Sequence, residues 1–170
     1  MHPLAGARAR AYLVDCLLYL GIAACEVPVG LVGRRRGWDR NRRYVYAASA
    51  VAPLTAALLA ALAEAGPRQA TRGKRREGLT VVQVSPGDAS QRVGFARSLV
   101  RNVVKIAVPW QMGHVVALGA SSGGFDRRDR VTLGTTVLVY PLLGAMAWTG
   151  LRGGGRPPHD RVAGTRVVRA

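Results

Sequence analysis

The sequence predicts an all-α, polytopic integral membrane protein with four transmembrane helices and an interfacial basic amphipathic helix. Three observations carry that expectation. Of the 170 residues, 49% are hydrophobic, and most of them fall into four blocks about as long as a bilayer-crossing helix. Arginine gathers between the blocks. The formal charge of +16, from 25 Lys and Arg against 9 Asp and Glu, therefore resides largely in connecting segments. Such a charge in a soluble chain would suggest nucleic acid; interleaved with apolar blocks it is the pattern of a membrane protein with basic loops. The expected partners are the bilayer and anionic lipid headgroups at the Arg/Lys clusters, not nucleic acid, with a homo-oligomer left open. The whole chain, residues 1–170, is expected to form a single membrane domain.

The first span covers residues 11–33, AYLVDCLLYLGIAACEVPVGLVG, in which Asp15 and Glu26 are the only charged side chains. An acid at mid-span costs about 2.5–3.5 kcal/mol on insertion scales, so it normally faces protein or water. Arg8, Asp15 and Glu26 are separated by seven and eleven residues, close to two and three helical turns, and share one face. That charged stripe is expected to point at other protein. Cys16 and Cys25, nine apart, face opposite ways and form no disulfide with each other. Ile22-Ala23-Ala24-Cys25 resembles a lipoprotein cleavage box, but Asp15 interrupts the apolar region and hydrophobicity continues past the cysteine, so the span is expected to be retained.

Residues 34–43 form a loop with six arginines. Tyr44 and Tyr46, suited to interfacial anchoring, open the second span, residues 44–66. Ala57, Ala61 and Ala65, four apart, would allow close helix approach. Glu64 stands at the end of this span, before Gly66-Pro67.

Residues 67–102 form a polar, interfacial segment. Its first part ends in a strand-like alternation, TVVQV, and Ser85-Pro86-Gly87-Asp88 signals a turn. Ser90 is placed to cap a helix over residues 91–102. There Val93, Ala96 and Val100 line one side while Arg97, Arg101 and Lys105 recur every four residues, which suits a headgroup surface.

The third span, residues 103–120, carries Lys105, Pro109, Gln111 and His114, and is expected to be tilted or kinked. His114 is expected to be a hydrogen-bonded packing residue. The fourth, residues 131–150, has no charged side chain. The tail, residues 151–170, begins as a Gly- and Pro-rich linker. Four spans return the tail to the side where the chain starts. With both termini inside, the inner segments carry 16 Lys and Arg, counting Lys105 at the start of the third span, and the outer loops nine, so the positive-inside rule favours cytoplasmic termini in the cell membrane. Asp160 is then expected to dock beneath the first span and pair with Arg8, leaving Asp15 for Arg101 or Lys105.

Three separated pieces resemble the RDD family of membrane proteins. They are Arg8-x-x-Ala11-x-x-x-Asp15, Thr71-x-Gly73-Lys74 with Gly78-Leu79-x-Val81-Val82 and later Arg101-Asn102, and His159-Asp160-x-x-Ala163-Gly164-Thr165-x-Val167-Val168. On this resemblance Arg8, Asp15 and Asp160 take the name-giving arginine and aspartates. The chain departs from the family pattern where Arg72 replaces a proline and Arg76-Glu77 an apolar pair. The resemblance implies transport of an unidentified ligand, cation/proton exchange having been ascribed to at least one member.

No enzyme is expected. Gly73-Lys74 lacks the earlier glycine and the Ser or Thr of a phosphate loop. His2, His114 and His159 are scattered without metal spacing, there is no nucleophile elbow, and no cofactor is implied. The expected function is movement of a cation, proton or small polar ligand through the charge network Arg8, Asp15, Glu26, Arg101 and Asp160. The alternative is a non-transporting scaffold or assembly protein whose charges only tie helices together.

Overall fold

A computed structural model describes residues 2–84, 91–152 and 155–170. Helix α1 runs over Ala5–Arg35, about 46 Å at 1.5 Å per residue, longer than a hydrocarbon core. A short 3-10 turn, Trp38–Arg40, leads to α2, Arg42–Ser49, whose first turn is capped by the Asn41 side chain. Helix α3, Val51–Ala65, continues α2 after one residue, and the two make the second span. Helix α4 is the single turn Arg72–Arg76, followed by strand β1, Leu79–Gln83, and strand β2, Gln91–Arg92. Helix α5, Phe95–Asn102, passes through a π-helical turn, Val103–Ala107, into α6, Val108–Ser121. Together they form the third span, a 27-residue helix over Phe95–Ser121. Helix α7, Arg130–Leu151, is the fourth span, and the tail folds as α8, Pro158–Val162, and strand β3, Thr165–Arg169.

All four long helices are long and apolar enough to cross a membrane. Their outer faces are apolar: Leu17, Val137 and Leu138 are each more than 60% exposed, as a lipid-facing surface requires. The π turn has an identifiable cause. Pro109 has no N–H to donate one turn back, and the widened turn over Val103–Ala107 absorbs the lost bond before α6 resumes. His114 is the packing residue expected of it, bonded to Trp110 on its own helix and to the Ser49 carbonyl at the end of α2.

At the end of the bundle where α1 starts and α7 stops lies a small polar-and-strand layer. The His2 amide donates to the Leu151 carbonyl (2.8 Å), which ties the segment before α1 to the end of α7. The strand-like alternation after Gly78 becomes β1, the centre of an antiparallel sheet in the order β2-β1-β3, with Val81 opposite Val167 and Val82 opposite Arg92. Leu79, Val81, Val93 and Val167 from this layer pack on Ala7 and Ala11 of α1. Within the bundle, Tyr19 packs on Ala56, Ala57, Ala60, Ile106 and Ala107. Ala57 and Ala61 are fully buried, as their spacing suggests.

The interfacial helix expected over residues 91–102 takes a different form. Gln91 and Arg92 pair in β2, the helix begins only at Phe95, and it runs without a break into the third span. Ser90 and the Ser85–Asp88 turn lie outside the described residues. The orientation is also inverted. Helix α5 buries Ser98, Arg101 and Asn102 and exposes Phe95 and Val100. Arg101 does not reach headgroups because a buried acid waits for it inside the bundle; the apolar side is turned outward, which is the cheaper arrangement beside lipid.

Candidate functional site

The site grows from three acids on three elements. Asp15, two turns above Arg8 on α1, is buried at 3% exposure. Its Oδ2 accepts from the Thr71 hydroxyl (2.6 Å) and its Oδ1 from the Gly73 amide (2.8 Å). Thr71 is the N-cap of α4, so Asp15 anchors the start of that helix against α1. Gly73 is required there: a Cβ at this position would stand 2.0 Å from the Ala11 carbonyl oxygen. The two backbones meet because only hydrogen atoms stand between them.

Glu64, one residue from the end of α3, has no exposed surface. Its carboxylate accepts from Lys74 Nζ (2.8 Å), from Arg101 Nη1 (2.7 and 2.9 Å), from Asn102 Nδ2 (2.8 Å) and from the Ser98 hydroxyl (3.3 Å). An acid near a helix C-terminus is disfavoured by the helix dipole; two cations and two neutral donors offset that here. Lys74 Nζ also donates to Thr71 Oγ1 (3.2 Å), which links the Glu64 cluster to the one around Asp15.

Asp160, on α8, completes the arrangement. Its Oδ1 accepts from Arg101 Nε (2.7 Å) and from the Thr165 hydroxyl (3.0 Å), while its buried Oδ2 has no hydrogen-bond partner among the described residues. Burial pushes the Asp160 carboxyl up, but the Arg101 guanidinium outweighs it and holds the group below its ordinary range. His159 beside it is pushed down to about 3, first by burial and then by Arg101, and is neutral at physiological pH. Arg101 therefore bridges Glu64 and Asp160, joining α3, α5 and the tail through one buried guanidinium.

The expected pairings are corrected accordingly. Arg8 does not bond to Asp160. It donates to the backbone carbonyls of Gly155 and Val167 (3.0 Å for the latter), so the tail does dock beneath α1, but by its main chain. Asp15 takes neither Arg101 nor Lys105, because the neutral donors of the α4 N-terminus occupy both its oxygens. Glu26, farther along α1, is not brought into the network, and its Oε1 is buried with no hydrogen-bond partner among the described residues. Glu64, Lys74, Thr71 and Asn102 are members that sequence reasoning did not assign. Glu64 was visible only as an acid ending an alanine-rich span; its signal was the pair of cations, Lys74 and Arg101, that must be neutralised in a buried place.

Beside this network lies a cavity of about 720 Å³. It opens between α1 and α7, which do not pack closely on each other, and is closed behind by the π turn and the start of α6. Arg8, Asp15, Lys74, Arg101, Lys105 and Asp160 line one part of it; Tyr12, Leu20, Trp110, Leu143 and Met146 belong to the apolar remainder.

The three pieces of sequence that carry the family resemblance have thus become one structural unit: α1 with Asp15, α4 with Thr71 and Gly73, and α8 with Asp160. The model describing the RDD family matches residues 2–164, nearly the entire chain. The chain belongs to the RDD family. No curated protein and no solved structure matches it. Its departures from the family pattern fall where the RDD unit tolerates them. Arg72 occupies the first position of α4, where a proline is accommodated, and is exposed. Arg76 is exposed, and Glu77 pairs with Arg10 at 2.8 Å on the surface of α1.

Proposed function

We propose that this RDD membrane protein carries a small charged or polar ligand across the membrane, with the cavity between α1 and α7 as its binding site. The observation that supports this is the meeting, in one cavity, of charges of both signs with an apolar wall at the level of the spans. Of the three acids, Asp160 is the best placed to meet a ligand or proton: it lines the cavity and keeps one oxygen unpartnered, whereas both oxygens of Asp15 are occupied. The second reading, a non-transporting scaffold, is favoured by the saturation of Glu64, whose bonds tie α3, α4 and α5 together.

Reconstituted vesicles separate the two. Loaded with a pH-sensitive dye and placed in a Na⁺ or K⁺ gradient, they read cation/proton exchange; with a fluorescent short-chain phospholipid added outside, they read movement of an amphiphile. A carrier gives a flux above protein-free vesicles for one of these probes. Ala147→Trp, which places a large ring on the cavity wall, abolishes it. A stably folded protein with no flux for either probe supports the scaffold reading.

The protein is further proposed to sit in a cell membrane with both termini cytoplasmic, following the excess of Lys and Arg on that side. The arginines around residues 34–43 would then meet headgroups of the outer leaflet. Cysteine labelling at residue 39 from outside the cell tests the orientation; labelling only after permeabilisation would reverse it.

A further inference from the structure

The charges around the cavity do not cancel. Asp15 is satisfied by the Thr71 hydroxyl and the Gly73 amide, Lys74 and Arg101 are paired with Glu64, and Arg101 also holds Asp160. Two cations remain. Among the described residues no carboxylate lies within ion-pairing distance of Lys105 or Arg8. The Lys105 ammonium stands 5.3 Å from the centre of the Tyr12 ring, a weak substitute for an anion. Arg8 spends its terminal nitrogens on two carbonyls, and its buried Nε has no partner among the described residues. Both side chains line the cavity. A lysine held inside a membrane span without a counter-ion is costly unless something negative joins it.

The rest of the cavity indicates what that anion is attached to. Tyr12, Leu20, Leu143 and Leu151 line it and are each more than 40% exposed, so its mouth is at the level of the lipid tails rather than closed by protein. Trp110 and Met146 continue the apolar wall. A fully aqueous anion would leave this wall unfilled, and an uncharged lipid would leave the surplus positive charge beside Arg8 and Lys105 uncompensated.

We propose that the cavity binds one anionic amphiphile, with a phosphate or carboxylate head at Lys105 and Arg8 and a hydrocarbon tail along α1 and α7. The proposal rests on the cavity being a ligand site, and it names the class of ligand. The anion enters from the side, through the gap between α1 and α7, without crossing the hydrocarbon core as a free ion. Binding of this kind requires no transport, so it can be established or lost independently of flux.

The test uses the full chain purified in a neutral detergent, with native mass spectrometry and thermal melting as readouts. Phosphatidylglycerol and phosphatidic acid are expected to give a one-to-one adduct and a higher melting temperature, while phosphatidylcholine and inorganic phosphate give neither. Lys105→Gln is expected to weaken the anionic adduct at least tenfold, and Lys105→Arg to restore it. Arg36→Gln, at the far end of α1, leaves it unchanged. Should Lys105→Gln fail to fold, Ala147→Trp serves instead, obstructing the tail path while keeping the cation. Equal binding of phosphatidylcholine would overturn the role of the cations. Equal binding of inorganic phosphate would overturn the role of the tail, and an unaltered adduct in a folded Lys105→Gln or Ala147→Trp would overturn the site. An adduct without flux leaves this site standing and removes the carrier reading; flux of cations without an adduct does the reverse.

Discussion

The two halves of α1 each carry one acid, and only one of them is held. In the half that begins the chain, Ala7, Ala11, Asp15 and Tyr19 form a buried stripe at four-residue spacing against α4, the sheet and α3. In the other half only Gly33 is buried, Glu26 is half-buried, and its Oε1 lacks a partner. The two acids share a helix face and an apolar setting in the sequence. What distinguishes them is arrival: a glycine-bearing turn, α4, reaches Asp15 and offers an amide and a hydroxyl, and among the described residues no such element reaches Glu26. An ionisable residue in a membrane helix becomes part of a built site when a second segment brings donors to it.

The largest effect should come from Arg101, the group that the held end depends on most. Arg101→Met leaves Glu64 with fewer cations and Asp160 with none, and removing one partner from a buried pair costs about 3–5 kcal/mol. Unfolding in a denaturing detergent should show that loss, together with protease access to the tail beyond residue 155.

Next comes the close approach itself. In Gly73→Ala the new methyl meets the Ala11 carbonyl, which is backbone and cannot turn away. A loss of about 1–3 kcal/mol is expected, typical of overpacking. Hydrogen exchange should then rise in α4 and leave α6 and α7 unchanged; exchange spread evenly over the bundle would show that α4 is not docked at this point.

How much of this was legible in the sequence differs by residue. The four spans were, because apolar length is fixed by the bilayer and needs no knowledge of packing. Asp15, Arg101 and Asp160 could be singled out as charges that need partners, but their pairings could not. Arg8 and Asp160 looked matched by charge and side of the membrane, yet Arg8 found main-chain carbonyls and Asp160 found Arg101. Sequence shows which groups are costly to leave alone; which donor reaches them depends on a close approach such as Gly73 on Ala11. Helix α5 was misjudged for a related reason. Its basic face suited headgroups equally well, and Glu64 from α3 with Asp160 from the tail draw Arg101 inward while Arg97 stays exposed.

A smaller effect should appear in the pH dependence of the tail. His159 is neutral in the folded protein, its pKa pushed down to about 3 from 6.5 by burial and by Arg101. The unfolded chain binds that proton first, so the stabilising contribution is complete above about pH 6.5 and is lost as the pH falls towards 3. Asp160 acts in the same direction but only below its ordinary carboxyl range. His2 is also lowered, by burial and then by Arg8, so the test is made in a His2→Gln background. The melting temperature of that protein should fall between pH 7.5 and 5, and adding His159→Gln should flatten most of the fall.

The view drawn from that comparison is tested most directly by unfolding free energies of Glu64→Gln, on α3, and Glu26→Gln, on α1, measured side by side in the same detergent. Both changes replace a carboxylate by an amide of the same shape within an apolar span. Glu64→Gln is expected to lose about 3 kcal/mol, because Lys74 and Arg101 remain buried beside a neutral group. Glu26→Gln is expected to lose nothing measurable. Equal losses, or a larger loss at Glu26, would contradict the view that an acid in this bundle matters through the segment that comes to meet it.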